Sequence, residues 1–149
     1  MNSNFIFLLL ALCAGFFIPL QTSLNAMLGR GAGNPVVTTF LVFAVGILGC
    51  LFALATLRPT LPSTSAFAGV PWYAWLGGVL GMFYIVLVVT CTPRLGVGLT
   101  TMLILVGQMT IALMLDHFGA LGNAPHPINV ARIVGLILMI SGTVLIKRF

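Results

Sequence analysis

Long apolar runs separated by short polar breaks constrain this chain more than any single residue. Five runs, at about residues 5–28, 35–57, 72–90, 95–115 and 128–146, each approach the roughly 20 residues a helix needs to cross a bilayer. Only 5% of the residues are charged, whereas a soluble domain carries about 25%. With 60% hydrophobic residues and a mean hydropathy of +1.23, the sequence cannot cover a water-facing surface. It predicts an all-α integral membrane protein, a single domain over residues 1–149 with five transmembrane helices. No room is left for a water-exposed catalytic domain.

The six basic residues, Arg30, Arg58, Arg94, Arg132, Lys147 and Arg148, lie at the ends of the apolar runs. That placement reads as topology anchoring. A nucleic-acid partner is not expected, because it would require a clustered basic face. Five spans put the termini on opposite sides. Arg58 and Arg132 then share one side, and the other four cations share the opposite one. The positive-inside rule places the C-terminus mainly in the cytoplasm. The first run has no basic n-region and continues past any plausible cleavage point, so it is expected to be retained as a helix. Cys13, Cys50 and Cys91 are odd in number and embedded in apolar sequence, which predicts small buried hydrophobes.

The breaks have turn chemistry. The first run stops at the Gly29 to Asn34 stretch, and Pro35 is a good first residue for the second helix. The loop from Arg58 to Pro71 holds three prolines. Trp72, Tyr73 and Trp75 mark a headgroup crossing at the start of the third run, which is expected to end near Thr90, before Pro93. The turn to the fourth run is short enough to force an antiparallel hairpin, and a loop from Asp116 to Pro127 leads into the fifth. Glycines recur inside the runs, with Gly77 and Gly81 at the spacing of a helix-contact face.

Chemistry-bearing residues are few. Asp116 is the sole acidic residue, and His117 and His126 fall in the same loop. An enzyme active site, a metal centre or a bound cofactor is therefore not expected. In the first run Gln21 and Asn25 are four apart, which puts both amides on one helix face, where an unpaired polar group is costly. They either bind a solute or hold helices together. Pro19 removes the backbone bond to Gly15, so the pair marks a hinge just before that polar stripe. Thr101 and Gln108, seven apart in the fourth run, lie on nearly one face, and Thr38, Thr39 and Tyr84 offer further hydroxyls. Asp116 either pairs with Arg132 or serves as a protonation switch coupling transport to protons.

The stretches GFFIPLQTSLNAMLG (Gly15 to Gly29), PVVTTFLVFAVG (Pro35 to Gly46), PWYAWLGGVLGMFY (Pro71 to Tyr84) and GQMTIALMLDHFG (Gly107 to Gly119) together resemble the YdcZ-type family of the drug/metabolite transporter superfamily. The resemblance implies an inner-membrane carrier of small molecules. It also implies a five-span unit that forms half of an inverted-repeat transporter. The glutamate used in the first helix by small multidrug exporters of the same superfamily is missing, so their cation/proton exchange is not implied.

These readings combine into a carrier with its substrate site between the first and fourth helices, lined by Gln21, Asn25, Gln108, Thr101 and Tyr84. Alternating access needs two halves, so the expected partners are the lipid bilayer, a small-molecule substrate and a second unit. That unit would be another copy or a sister chain, held antiparallel. The competing reading is a non-transporting assembly or accessory subunit.

Overall fold

The computed structural model describes residues 3–148, which form helices and turns with no strand among them. Five α-helices follow in order: α1 (Ser3–Ala32), α2 (Pro35–Leu57), α3 (Gly77–Leu95), α4 (Val97–Phe118) and α5 (Val130–Arg148). With the turn before α3 included, all five are long and apolar enough to cross a membrane.

Helix ends follow local chemistry. The Asn34 side chain accepts from the N–H groups of Val36 (2.8 Å) and Val37 (3.3 Å), and Pro35 occupies the first helical position of α2. At the other end Arg58 turns into the left-handed region at φ 44° and donates its N–H to the Leu54 carbonyl. Both ends lie where the sequence placed them.

Three other boundaries differ. The first helix does not stop at Gly29 but runs to Ala32, because the left-handed residue that closes it is Gly33, at φ 68°. Helix α3 passes through Pro93 to Leu95: the proline forfeits one N–H near the end, and Gly96 at φ 79° makes the actual break. Helix α4 carries Asp116 and His117 in its last turn and closes on Gly119 at φ 58°. The aromatic cluster before α3 forms a 3-10 turn, Trp72–Leu76.

The helices divide into two compact units. One comprises α1 up to Leu20 with Arg94, α4 and α5; the other comprises α1 from Gln21 with α2 and α3 as far as Pro93. The chain passes between them twice, one residue beyond Pro19 and directly after Pro93.

Small and hydroxylated residues hold the second unit together. Thr22, Asn25 and Ala26 of α1, Thr38 and Thr39 of α2, and Ile85, Val88, Val89 and Thr92 of α3 are its buried residues. Lipid is as apolar as leucine, so large side chains gain little from turning inward and close backbone approach decides the packing. The closest approach is at Gly29, where an added Cβ would lie 2.6 Å from a γ-methyl of Val89 and 3.7 Å from the Thr38 hydroxyl. The expected glycine pair is used only in part: a Cβ added at Gly81 would lie 3.5 Å from the Phe43 ring, while one at Gly77 would meet open space. Cys13 and Cys50 are exposed and Cys91 is partly so. The bilayer rather than the protein interior supplies their apolar surroundings.

The Gly29 contact gives a stability test. Val89 is β-branched and stiff, so Gly29→Ala should cost roughly 1–3 kcal/mol by overpacking. Trimming the partner with Val89→Ala in the same chain should recover most of that loss. Thermal denaturation of the single and double variants in detergent measures both; additive losses would show that the two residues do not meet.

Candidate functional site

A cavity of about 280 Å³ opens within the first unit, lined by Leu12, Gly15, Phe16 and Ile18 of α1 and Thr101, Ile104, Leu105 and Gln108 of α4. Its walls are apolar except at three places. Gly15 lines it without a side chain, and a Cβ there would meet nothing within 4 Å. Its carbonyl also lacks the usual N–H from four residues on, because that residue is Pro19. Thr101 and Gln108 lie on one face of α4 there, the Gln108 side chain exposed and the Thr101 hydroxyl enclosed.

Thr101 behaves differently from other hydroxyls of this chain. In Thr38, Thr39, Thr56, Thr90, Thr92, Thr100, Thr110, Ser141 and Thr143 the hydroxyl donates to the carbonyl four residues earlier, at 2.7–2.9 Å. That arrangement satisfies a polar group inside lipid without disrupting the helix ladder. Thr101 Oγ1 is buried and has no partner among the described residues. A buried orphan hydroxyl calls for an explanation, and a ligand is one.

The remaining sequence candidates are distributed differently. Gln21 is exposed, while Asn25 is 7% exposed and belongs to a stripe of α1 made of the buried Thr22, Asn25 and Ala26 and the partly buried Gly29, of which Thr22 at 2% is the most enclosed polar member. The stripe has 3- and 4-residue spacing, so it was legible as a helix face; Thr22 is the residue the amide-centred reading missed. Both amides lie past Leu20, in the second unit, and are not among the residues lining the cavity. Tyr84 is half-buried in α3. Thr38 and Thr39 are engaged by their own helix.

Asp116 lies outside the cavity, in a clasp joining α4 to α5. Arg132 Nη1 is 3.6 Å from Asp116 Oδ2 and donates to the His126 carbonyl at 3.0 Å. The His126 N–H returns to the Asp116 carbonyl at 2.7 Å, and the Ile128 N–H donates to His117 Nδ1 at 3.1 Å. Asn129 caps α5 by accepting from the Arg132 N–H at 2.9 Å. The ion pair is about a third or more exposed on both sides, so it is worth about 0–1 kcal/mol and orients the loop more than it stabilises it. Among the described residues no cluster of three potential metal ligands occurs.

The family model described as "Putative inner membrane exporter, YdcZ" matches residues 6–145. No curated protein and no solved structure gives a match.

The orphan hydroxyl predicts an unusual stability effect. Thr101→Val keeps the shape and removes an unsatisfied buried group, so the empty protein should gain about 1 kcal/mol. Thr100→Val, which removes a hydroxyl bonded to the Gly96 carbonyl, should gain nothing. A fall in the denaturation midpoint of the Thr101 variant would mean that its hydroxyl has a partner already.

Proposed function

Because the chain belongs to the YdcZ family, a group of multi-pass inner-membrane exporters, we propose that it is a small-molecule carrier whose solute binds in the cavity between the first half of α1 and α4. The observation that carries this reading is an open cavity inside the first unit that has the exposed Gln108 side chain in its otherwise apolar lining. Gln108 supplies the polar contact, and Gly15 leaves its side of the lining without a side chain. Asn25, with Thr22, provides a further polar position in the other unit, with Gln21 at its edge. An enzyme reading has no support in the cavity, whose lining includes no group able to act as a general acid or base.

Transport by alternating access needs elements that change places. Pro19 and Pro93 mark the two passages of the chain between the units, and each breaks the hydrogen-bond ladder of a helix. They act as hinges in this reading, with Gly15 loosening α1 beside the first. One five-helix chain is half of the inverted pair, and the working carrier is an antiparallel dimer.

A thermal-shift screen of the purified protein against a metabolite library, followed by counterflow with the best hit in proteoliposomes, tests the site. Gln108→Leu and Gly15→Leu should each lower exchange at least about tenfold, a loss of about 1.4 kcal/mol or more. Undiminished exchange in both variants would remove the cavity from the pathway.

The dimer has its own test. The cations divide two against four between the sides, Arg58 and Arg132 against Arg30, Arg94, Lys147 and Arg148, which is a weak orientation bias. Single cysteines near each terminus, in a background free of the native three, should be labelled on both faces of the membrane if copies insert both ways. One orientation only would exclude the antiparallel homodimer and leave a sister chain as the second half.

A further inference from the structure

We infer that a groove between α4 and α5 holds an acyl chain of a zwitterionic phospholipid whose headgroup sits on the clasp, its phosphate at Arg132 and its primary ammonium at Asp116. The groove shares no lining residue with the cavity between α1 and α4. It measures about 230 Å³ and is lined by Met109 and Leu113 of α4 and by Arg132, Gly135, Leu136 and Met139 of α5. Gly135 leaves its side open, since a Cβ there would meet nothing within 4 Å.

The groove has a direction. Arg132 is the third residue of α5, and Met139 lies seven residues, about 10 Å, further along the axis. On α4, Leu113 and Met109 lie five and nine residues before the closing Phe118. The charged residue therefore stands where two spans end, and the apolar lining continues inward from it. A phospholipid is built the same way round, with its charge at the headgroup level and its chains in the hydrocarbon. Apolar walls distinguish one lipid chain from another only weakly, so selection falls to the head.

The clasp sets the head chemistry. Both contacts of the Arg132 guanidinium, to Asp116 Oδ2 at 3.6 Å and to the His126 carbonyl at 3.0 Å, use Nη1. Its Nε and Nη2 donors have no partner among the described residues, and the side chain is 31% exposed. Planar donors of that kind fit phosphate oxygens. The Asp116 side chain is 41% exposed, and among the described residues its carboxylate faces Arg132 alone. It attracts an ammonium and repels a second anion. A headgroup carrying both charges matches the pair; an anionic one meets Asp116, and a quaternary ammonium has no N–H to give it.

Three lipids with the same pair of eight-carbon chains separate these properties: phosphatidylethanolamine, phosphatidylglycerol and phosphatidylcholine. Each is titrated into the purified, delipidated full chain in detergent, and bound copies are counted by native mass spectrometry. The ethanolamine lipid should fill one site, about three- to fivefold more tightly than the other two, the margin expected of exposed charge pairs. Asp116→Asn should erase that margin by weakening the ethanolamine lipid and strengthening the glycerol lipid. Gly135→Leu, which fills the groove without touching the clasp, should weaken all three at least about tenfold. Unchanged elution in size exclusion shows that the variants fold, and Gly135→Val, a smaller plug, should give a smaller loss of the same kind.

Equal or tighter binding of the glycerol lipid to the unaltered chain would overturn the headgroup assignment. A preference for the ethanolamine lipid that survives Asp116→Asn would remove the clasp from recognition. Binding untouched by both Gly135 variants would put the lipid elsewhere on the protein. Phosphoethanolamine without chains should not bind; affinity equal to that of the lipid would make the clasp a site for a soluble phosphate ester. None of these results bears on solute exchange through the other cavity.

Discussion

Hydrogen-bond satisfaction in a medium without water governs this protein. A polar group facing lipid cannot exchange its partner for solvent, so each must be bonded within the protein or kept for something that binds there. The helices solve the problem for their backbones, and nine hydroxyls solve it by folding back onto the carbonyl four residues before. Against that background the unpartnered Thr101 hydroxyl and the Gly15 carbonyl released by Pro19 are informative, because both belong to residues lining one cavity. Polar chemistry in this chain is scarce, and the proposed binding site is built on where it is left unpaired.

The same medium explains why the packed residues are small. Burial in lipid gains little for leucine or phenylalanine, and most of the large apolar side chains here are exposed. In the unit of α1, α2 and α3 the space beside Gly29 is too tight for a Cβ against Val89, and four of the buried residues are threonines, Thr22, Thr38, Thr39 and Thr92. Threonine suits such positions because it is compact, its methyl packs like that of valine, and its hydroxyl is silenced by its own helix.

What could be read from the sequence was what is determined locally. Five spans follow from hydropathy alone, and the Asn34-Pro35 start of α2 and its end at Arg58 follow from residues adjacent in the chain. Where two stop signals competed, the sequence did not say which would act: Gly33 rather than Gly29 closes α1, and Gly96 rather than Pro93 closes α3. Packing was harder still. Gly29 looked like the beginning of a turn and is instead the glycine with least room for a Cβ, a role visible only once Val89 is beside it. Of the polar candidates, Thr101 and Gln108 share a cavity because one helix carries both, whereas spacing along α1 showed that Gln21 and Asn25 are neighbours without showing which of them would be buried.

Proline placement ties these levels together. An intrahelical proline removes a hydrogen bond that lipid cannot replace, so it is retained at a cost and should coincide with something the helix must do. Here the coincidence is double. Pro19 sits one residue before the point where α1 leaves the first unit, and Pro93 is the last residue of the second. The bond that Pro19 deletes is the one to Gly15, which lines the cavity. Bending at Pro19 would therefore alter the backbone that forms the wall. A single element of sequence chemistry, an N–H absent at residue 19, then links a carbonyl without its helical donor on a cavity-lining residue to the freedom of the helix beyond it.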